Sequence, residues 1–295
     1  MEKYYITTPI YYVNDKPHIG HAYTTILADT ISRFRALIGE NPTFLTGLDE
    51  HGLKVQQAAE KNGKKPQDHC DSMAPAFIDL WKKLNINYSD FIRTTEHRHT
   101  KIVQQILTKV HESGDIYMDE YEGWYSISEE RFITEKELDS GQFGEVKQIK
   151  EKNYFFKMSK YQTTLINKIE KDELLIQPKS RKNEVLGFLK NELSDLCISR
   201  PKSRLEWGIE LPFDNNYVTY VWFDALINYI SAIGLYKDDK QFSSLWPADV
   251  HLIGKDILTT HSVYWPTMLL SLGLPLPQRI FAHGWWLTDD KKMSK

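Results

Sequence analysis

The chain has 295 residues, enough for one large domain or two ordinary ones, and 41% of them are hydrophobic, enough for a sizeable core. Its 37 basic and 40 acidic residues give a net charge of −3, which excludes a global basic field for nucleic acid and leaves only a local basic surface open. Two distant cysteines, Cys70 and Cys197, exclude a disulfide framework and fit a reducing cytoplasm or organelle matrix; no apolar run of about 18 residues predicts a membrane span. Met1-Glu2-Lys3 leads straight into strand-like sequence, so no signal peptide is expected. The 16 Tyr and 8 Trp suit ring-lined pockets or a well-filled core, and both readings stay open.

Residues 4–8 read as a β-branched and aromatic strand stopped by Pro9. A loop over 10–17 leads into a helix whose apolar face carries Tyr23, Leu27, Ile31, Phe34 and Ile38, ended by Gly39. Residues 43–46 form a second strand feeding Gly47-Leu48-Asp49-Glu50-His51-Gly52. That strand–loop–helix–strand unit predicts a parallel, doubly wound sheet. Helical patterns follow over 53–62, 67–84 and 96–113. From Tyr117 to about 200 short strands, charge and glycine mix, as in Gly141-Gln142-Phe143-Gly144, which predicts an inserted subdomain. The rhythm returns with a strand over 217–223 leading into a helix, a strand over 251–254, and a late strand over 279–282. The expected fold class is α/β: a doubly wound parallel-sheet (Rossmann-type) domain, 1–115 and 216–295, split by a small α+β connective insertion, 116–215.

His18-Ile19-Gly20-His21 follows a strand and loop at the start of the first helix. A helix start presents free N–H groups and partial positive charge, which suit phosphate. Pro17 sits at a favoured helix-start position, and Gly20 lets a flat base or ribose approach the backbone. The two imidazoles, three residues apart, share a face and can donate to phosphate oxygens. A histidine pair at this spacing can also bind metal, but no third ligand stands nearby. At the far end runs Lys292-Met293-Ser294-Lys295, preceded by the turn-like Asp289-Asp290-Lys291, which suits a mobile lysine loop reaching a triphosphate.

Several longer stretches carry a resemblance. Thr7-Thr8-Pro9-Ile10-Tyr11-Tyr12-Val13-Asn14-Asp15-Lys16-Pro17, running into the first signature, closely resembles the opening of bacterial and mitochondrial methionyl-tRNA synthetases. Leu45 to Gly52, Tyr220-Val221-Trp222-Phe223-Asp224-Ala225-Leu226, and His251-Leu252-Ile253-Gly254-Lys255-Asp256-Ile257 followed by His261 and Trp265-Pro266 resemble the same family. The resemblance runs from residue 4 to residue 295. It implies a class I enzyme that joins L-methionine to ATP as methionyl-adenylate, with Mg²⁺ on the phosphates, and then passes methionine to tRNA(Met). With the cysteine usage, the expected location is cytoplasmic.

In such enzymes the positions matching His18, Gly20 and His21 hold ATP, and Gly254, Asp256 and His283 look like its adenosine contacts. Lys292 and Lys295 match the lysines that stabilise departing pyrophosphate, so His18, His21, Lys292 and Lys295 are the expected catalytic set. The resemblance places Ile10, Tyr12, Trp222, Ala225, Leu226, Tyr229, Ile257 and His261 around the methionine side chain, and Asp49 on its ammonium group. The residues themselves agree, since a methionine site needs an apolar, polarizable slot and one anion. Trp222 on a strand also reads as core, Asp49 and Asp256 as helix caps, and His51 as a loop hydrogen bond.

Three further expectations follow. Lys157-Met158-Ser159-Lys160 repeats the terminal letters inside the insertion and is expected to be structural. Many relatives carry a zinc knuckle there, but Ser126 and Glu129 stand where the first cysteine pair would fall, so no structural zinc is expected. The helical anticodon-reading domain of relatives is missing, so the chain looks like a catalytic part. Rival readings are an Ile, Val or Leu synthetase, whose insertions are much larger, a nucleotidyl transferase, and a catalytically weak or synthetase-derived binding protein.

Overall fold

The computed structural model describes residues 2–126, 131–133, 138, 145–288 and 291–292. The chain begins with β1 (Lys3–Tyr12), α1 (Ile19–Leu37), β2 (Asn41–Asp49), α2 (Leu53–Lys61), α3 (Pro66–Lys83), β3 (Asp90–Arg93) and α4 (His97–Glu112). It continues with β4 (Ile116–Ser126), β5 (Arg131–Ile133), β6 (Val146–Phe156), α5 (Gln162–Glu170), β7 (Leu175–Gln177), α6 (Lys179–Phe188), β8 (Leu196–Cys197) and β9 (Ser199–Pro201). Then come β10 (Glu210–Leu211), β11 (Asp214–Thr219), α7 (Val221–Leu226), α8 (Asn228–Ser231), α9 (Asp239–Leu245), β12 (Val250–Gly254), α10 (Trp265–Leu272), β13 (Arg279–His283), β14 (Leu287–Thr288) and β15 (Lys291–Lys292).

Six strands make the main sheet in the order β3-β2-β1-β12-β13-β7, every neighbouring pair parallel. The order reverses between β1 and β12, the switch point where open α/β sheets bind ligands. β1 does not stop at Pro9. It runs on to Tyr12 with one extra residue against β2, the register passing from Thr7↔Leu45 to Ile10↔Gly47. A proline lacks the ladder donor, and a bulge is one of the few places a strand accepts it. The bulge sets Tyr12 opposite Asp49.

The first helix also differs from expectation. Its buried residues are Thr24, Thr25, Ala28, Asp29 and Ser32, while Phe34 is 55% exposed and Ile38 52%. Leu27 and Ile31 only flank the cluster of Tyr4, Ile6, Ala28, Phe44, Val250 and Leu252. Small side chains let the helix lie close on the sheet, so the larger apolar row falls to its side.

The stretch 116–215 opens with a long hairpin, with β4 and β6 paired antiparallel from Ile116↔Phe156 to Ser126↔Val146. β5 and β8 complete its four-stranded sheet. Gly141 to Gly144 lie outside the described residues. β7 lies within the stretch 116–215 yet pairs in parallel with β13, Leu175 opposite Arg279, so the chain visits the main sheet midway. β11 belongs to a separate antiparallel sheet with β9 and β10, and its strand ends at Thr219. Residues 221–226 are helical rather than extended, because Phe223 and Asp224 donate their N–H groups to the Tyr220 carbonyl. No helix among the described residues is long and apolar enough to cross a membrane.

Candidate functional site

At the carboxyl ends of the central strands lies a cavity of about 620 Å³. β1 contributes Ile10 and Tyr12, β2 contributes Asp49, and β12 and β13 end there in Gly254 and His283. The start of α1 brings His18, Gly20 and His21, and α7 and α8 bring Trp222, Ala225, Leu226 and Tyr229. The turn after β12 supplies Asp256, Ile257 and His261. Every predicted site position is thus on one cavity wall except the two terminal lysines. Lys295 lies outside the described residues, and of Lys292 only the backbone is described, paired with Leu287.

The helix start is more elaborate than the sequence suggests. His18 is its cap and Ile19 its first residue, so Pro17 stands just before the cap and not at the helix's first position. The His18 Nδ1 accepts the Gly20 N–H at 3.1 Å, and the His21 Nδ1 accepts the His18 N–H at 3.3 Å. The rings stack with centroids 3.7 Å apart. With each Nδ1 accepting, the hydrogen-bond network assigns the neutral ring proton to Nε2. Each ring therefore carries one donor of the kind a phosphate oxygen accepts.

The polar groups around His261 are paired with one another. His261 donates Nδ1–H to the Ile257 carbonyl at 3.0 Å, so its Nε2 accepts the Tyr229 hydroxyl at 2.7 Å. Burial pushes the His261 pKa down to about 4 and the Tyr229 hydroxyl far up, so both stay neutral. Behind them, His251 accepts from Trp265 Nε1 at 3.1 Å and donates to Thr7 Oγ1 at 2.8 Å. Its ring lies 4.2 Å from that of Tyr229, and burial holds its pKa well below the usual histidine range.

Asp224 was missed as a supporting residue, though it stands inside a quoted motif. It is fully buried, with Oδ2 2.6 Å from His51 Nδ1 and Oδ1 2.6 Å from His99 Nε2. Burial alone would raise its pKa, but the two histidines outweigh that and hold it at about 2. This bridge ties the helix bearing Trp222 to the loop after Asp49. Glu50 in that loop binds Arg93 at 2.7 Å and does not line the cavity.

Thr24, Lys54, Asn228, Trp285 and Trp286 also line the cavity and were not predicted. The tandem tryptophans before the terminal lysines were the available signal. Trp285 lies under Lys255 Nζ at 3.7 Å from its ring centre, and Trp286 meets Tyr23 edge-on at 5.4 Å. Thr24 Oγ1 donates to His283 Nε2 at 2.7 Å, since His283 Nδ1 is committed to the Gly284 carbonyl at 2.8 Å.

The second Lys-Met-Ser-Lys is remote from this cavity. Met158 is buried, and Lys160 Nζ binds Asp115 Oδ1 at 2.6 Å. The Asp115 carboxylate also accepts the Tyr161 and Ser271 hydroxyls. Ser126 is buried in β4, and Glu129 lies outside the described residues. Among the described residues no group of three or more His, Cys, Asp or Glu is placed to hold a metal ion.

A doubly wound sheet with this cavity at its switch point is the catalytic architecture of class I aminoacyl-tRNA synthetases, and the family description "tRNA synthetases class I (M)" matches residues 4–142 and 140–295. Methionine–tRNA ligase from Clostridium tetani is 52% identical over 99% of this chain, and that from Bacillus subtilis 47% identical over 99%. The methionyl-tRNA synthetase of Mycobacterium tuberculosis in complex with methionyl-adenylate superposes with a TM-score of 0.92 at 42% identity, covering 97% of this chain and 57% of that one. Its free form gives 0.81 at 40% identity, covering 97% and 56%. The chain belongs to the methionyl-tRNA synthetase family. It spans about half the length of the curated relatives it matches, 46% in both cases above.

Proposed function

We propose that this cavity activates L-methionine with ATP, forming methionyl-adenylate and pyrophosphate, and that the whole protein then transfers methionine to the 3′ end of tRNA(Met). The methionine carboxylate oxygen attacks the α-phosphorus. The bond to the β-phosphate oxygen breaks, and pyrophosphate leaves with that electron pair. No covalent enzyme intermediate is needed.

The observation that carries this reading is the polarity of one continuous cavity. At one end Asp49 stands beside Tyr12, Trp222, Ala225, Leu226, Tyr229, Ile257, His261 and Ile10, an anion with an apolar slot. That suits an ammonium group and a thioether. On the same cavity His18 and His21 offer Nε2 donors at a helix start, which suits phosphates next to the amino-acid carboxylate. Gly20, Gly254, Asp256 and His283 line the same cavity and are assigned to the adenosine. Lys292 and Lys295 are assigned to pyrophosphate from their place in the family motif. Catalysis is positioning plus charge stabilisation.

ATP would enter as its Mg²⁺ complex, the usual form in which its phosphates react. The ion would supply charge neutralisation on the phosphates. tRNA(Met) is the partner of the whole protein, engaged through the portion of the relatives beyond this chain. The free cysteines fit a cytoplasmic setting.

The test is methionine-dependent ATP–pyrophosphate exchange on the full-length protein. Exchange with methionine, reduced at least 100-fold by His21→Ala, is expected from the loss of one transition-state donor, typically ~10²–10³ in rate. Exchange driven by a different amino acid would refute the assignment.

A further inference from the structure

We propose that Lys54 receives the α-carboxylate of the amino acid in this cavity, an inference that rests on its reading as a methionine site. A free amino acid is a zwitterion. Asp49 answers its ammonium group, yet an anion alone would repel the carboxylate carried on the same α-carbon. Lys54 is the one Lys or Arg among the described residues that line the cavity.

Its position in the chain supports the role. β2 ends at Asp49, Gly52 turns the chain with φ 112°, and α2 begins at Leu53. Asp49 and Lys54 therefore enter the same wall from the two sides of one short turn. The first turn of α2 contains Lys54 and no acidic residue. A cation there is opposed by the helix dipole, so the dipole does not account for its place. Local rules are most often broken where a site requires it.

The histidines do not serve this purpose. Both are neutral in the assigned network, and each spends its Nδ1 on the helix cap. A lysine is a compact charge on a flexible stem. It can hold one carboxylate oxygen while leaving the other to approach phosphorus.

The test is a ligand comparison by calorimetry on this chain. L-methionine is titrated against L-methioninol, which keeps the ammonium and thioether and replaces the carboxylate with a hydroxymethyl group. The wild-type chain is expected to prefer methionine by roughly tenfold or more, the range for a hydrogen bond to a charged group. Lys54→Met is expected to bind the two ligands alike, and Lys54→Arg to retain the preference. Asp49→Asn is expected to weaken both ligands equally, since both carry the ammonium. Circular dichroism checks that each variant folds, and Lys54→Gln replaces Lys54→Met if that one does not. An undiminished preference in a folded, uncharged variant would overturn the inference and leave the methionine reading standing. A wild-type chain that binds neither ligand would overturn both.

Discussion

His261 spends both ring nitrogens inside the wall, one on the Ile257 carbonyl at 3.0 Å and one on the Tyr229 hydroxyl at 2.7 Å. This fixes its tautomer, makes Tyr229 the donor, and keeps a cation out of an apolar slot. The same burial makes the fold pH-sensitive. The folded pKa of His261, about 4, lies below the usual value near 6.5, so between them the unfolded chain binds more protons. Its contribution is complete above pH ~6.5 and is lost as the pH falls towards 4, on the order of 3 kcal/mol for a shift of this size. His251 shifts in the same direction and adds to the loss. Asp224, held at about 2, loses its contribution only below its ordinary carboxylate range. Urea midpoints are therefore expected to fall between pH 7 and 4.5, and to fall less in His261→Gln. A flat profile would contradict the buried neutral pair.

The helical turn carrying Trp222, Ala225 and Leu226 depends on a buried carboxylate bridge to two histidines that its own sequence does not announce. Asp224 fastens it to His51 beyond β2 and to His99 on α4. Asp224→Ala leaves two buried donors unmatched and is expected to cost about 3–5 kcal/mol in urea unfolding. A loss below about 1 kcal/mol would mean the bridge does not hold the turn. Gly47 is a second such joint. A Cβ there would lie 2.0 Å from the Ile92 carbonyl oxygen, where β2 passes β3. Gly47→Ala is expected to destabilise by roughly 1–3 kcal/mol or more, because backbone must move. The two Lys-Met-Ser-Lys copies separate by element. Lys160 anchors the insertion through Asp115, with its own side chain half exposed. Lys160→Ala is expected to cost ~1 kcal/mol or less and to leave ATP–pyrophosphate exchange unchanged. A large loss of exchange would move catalysis to the insertion.

Across the whole molecule, the features with local causes were legible and those set by distant contacts were not. Asp49, His18 and Gly254 sit where strand ends and a helix start place them, and such placements follow from short motifs. Pro9 seemed to end a strand because its missing donor is a local fact, while the bulge that absorbs it needs β2. Trp222 seemed extended because its neighbours favour strands, whereas Asp224 is bound by two histidines from other elements. The face of α1 was misjudged because hydrophobic size was read where close approach of small residues decides. The short β7 carries almost no pattern, yet it ties the stretch 116–215 to the main sheet. A single buried cluster joins Tyr5 and Leu45 of that sheet to Phe156, Leu165 and Ile169 of the insertion. The central claim is that one cavity on this sheet selects methionine through Asp49 and its apolar slot. Calorimetric titration of the chain with L-methionine, alongside L-leucine and an Asp49→Ala variant, tests it most directly. Saturable binding of methionine alone, lost in the variant, is the result the account predicts. Equal binding of leucine, or methionine binding unaffected by Asp49→Ala, would contradict it.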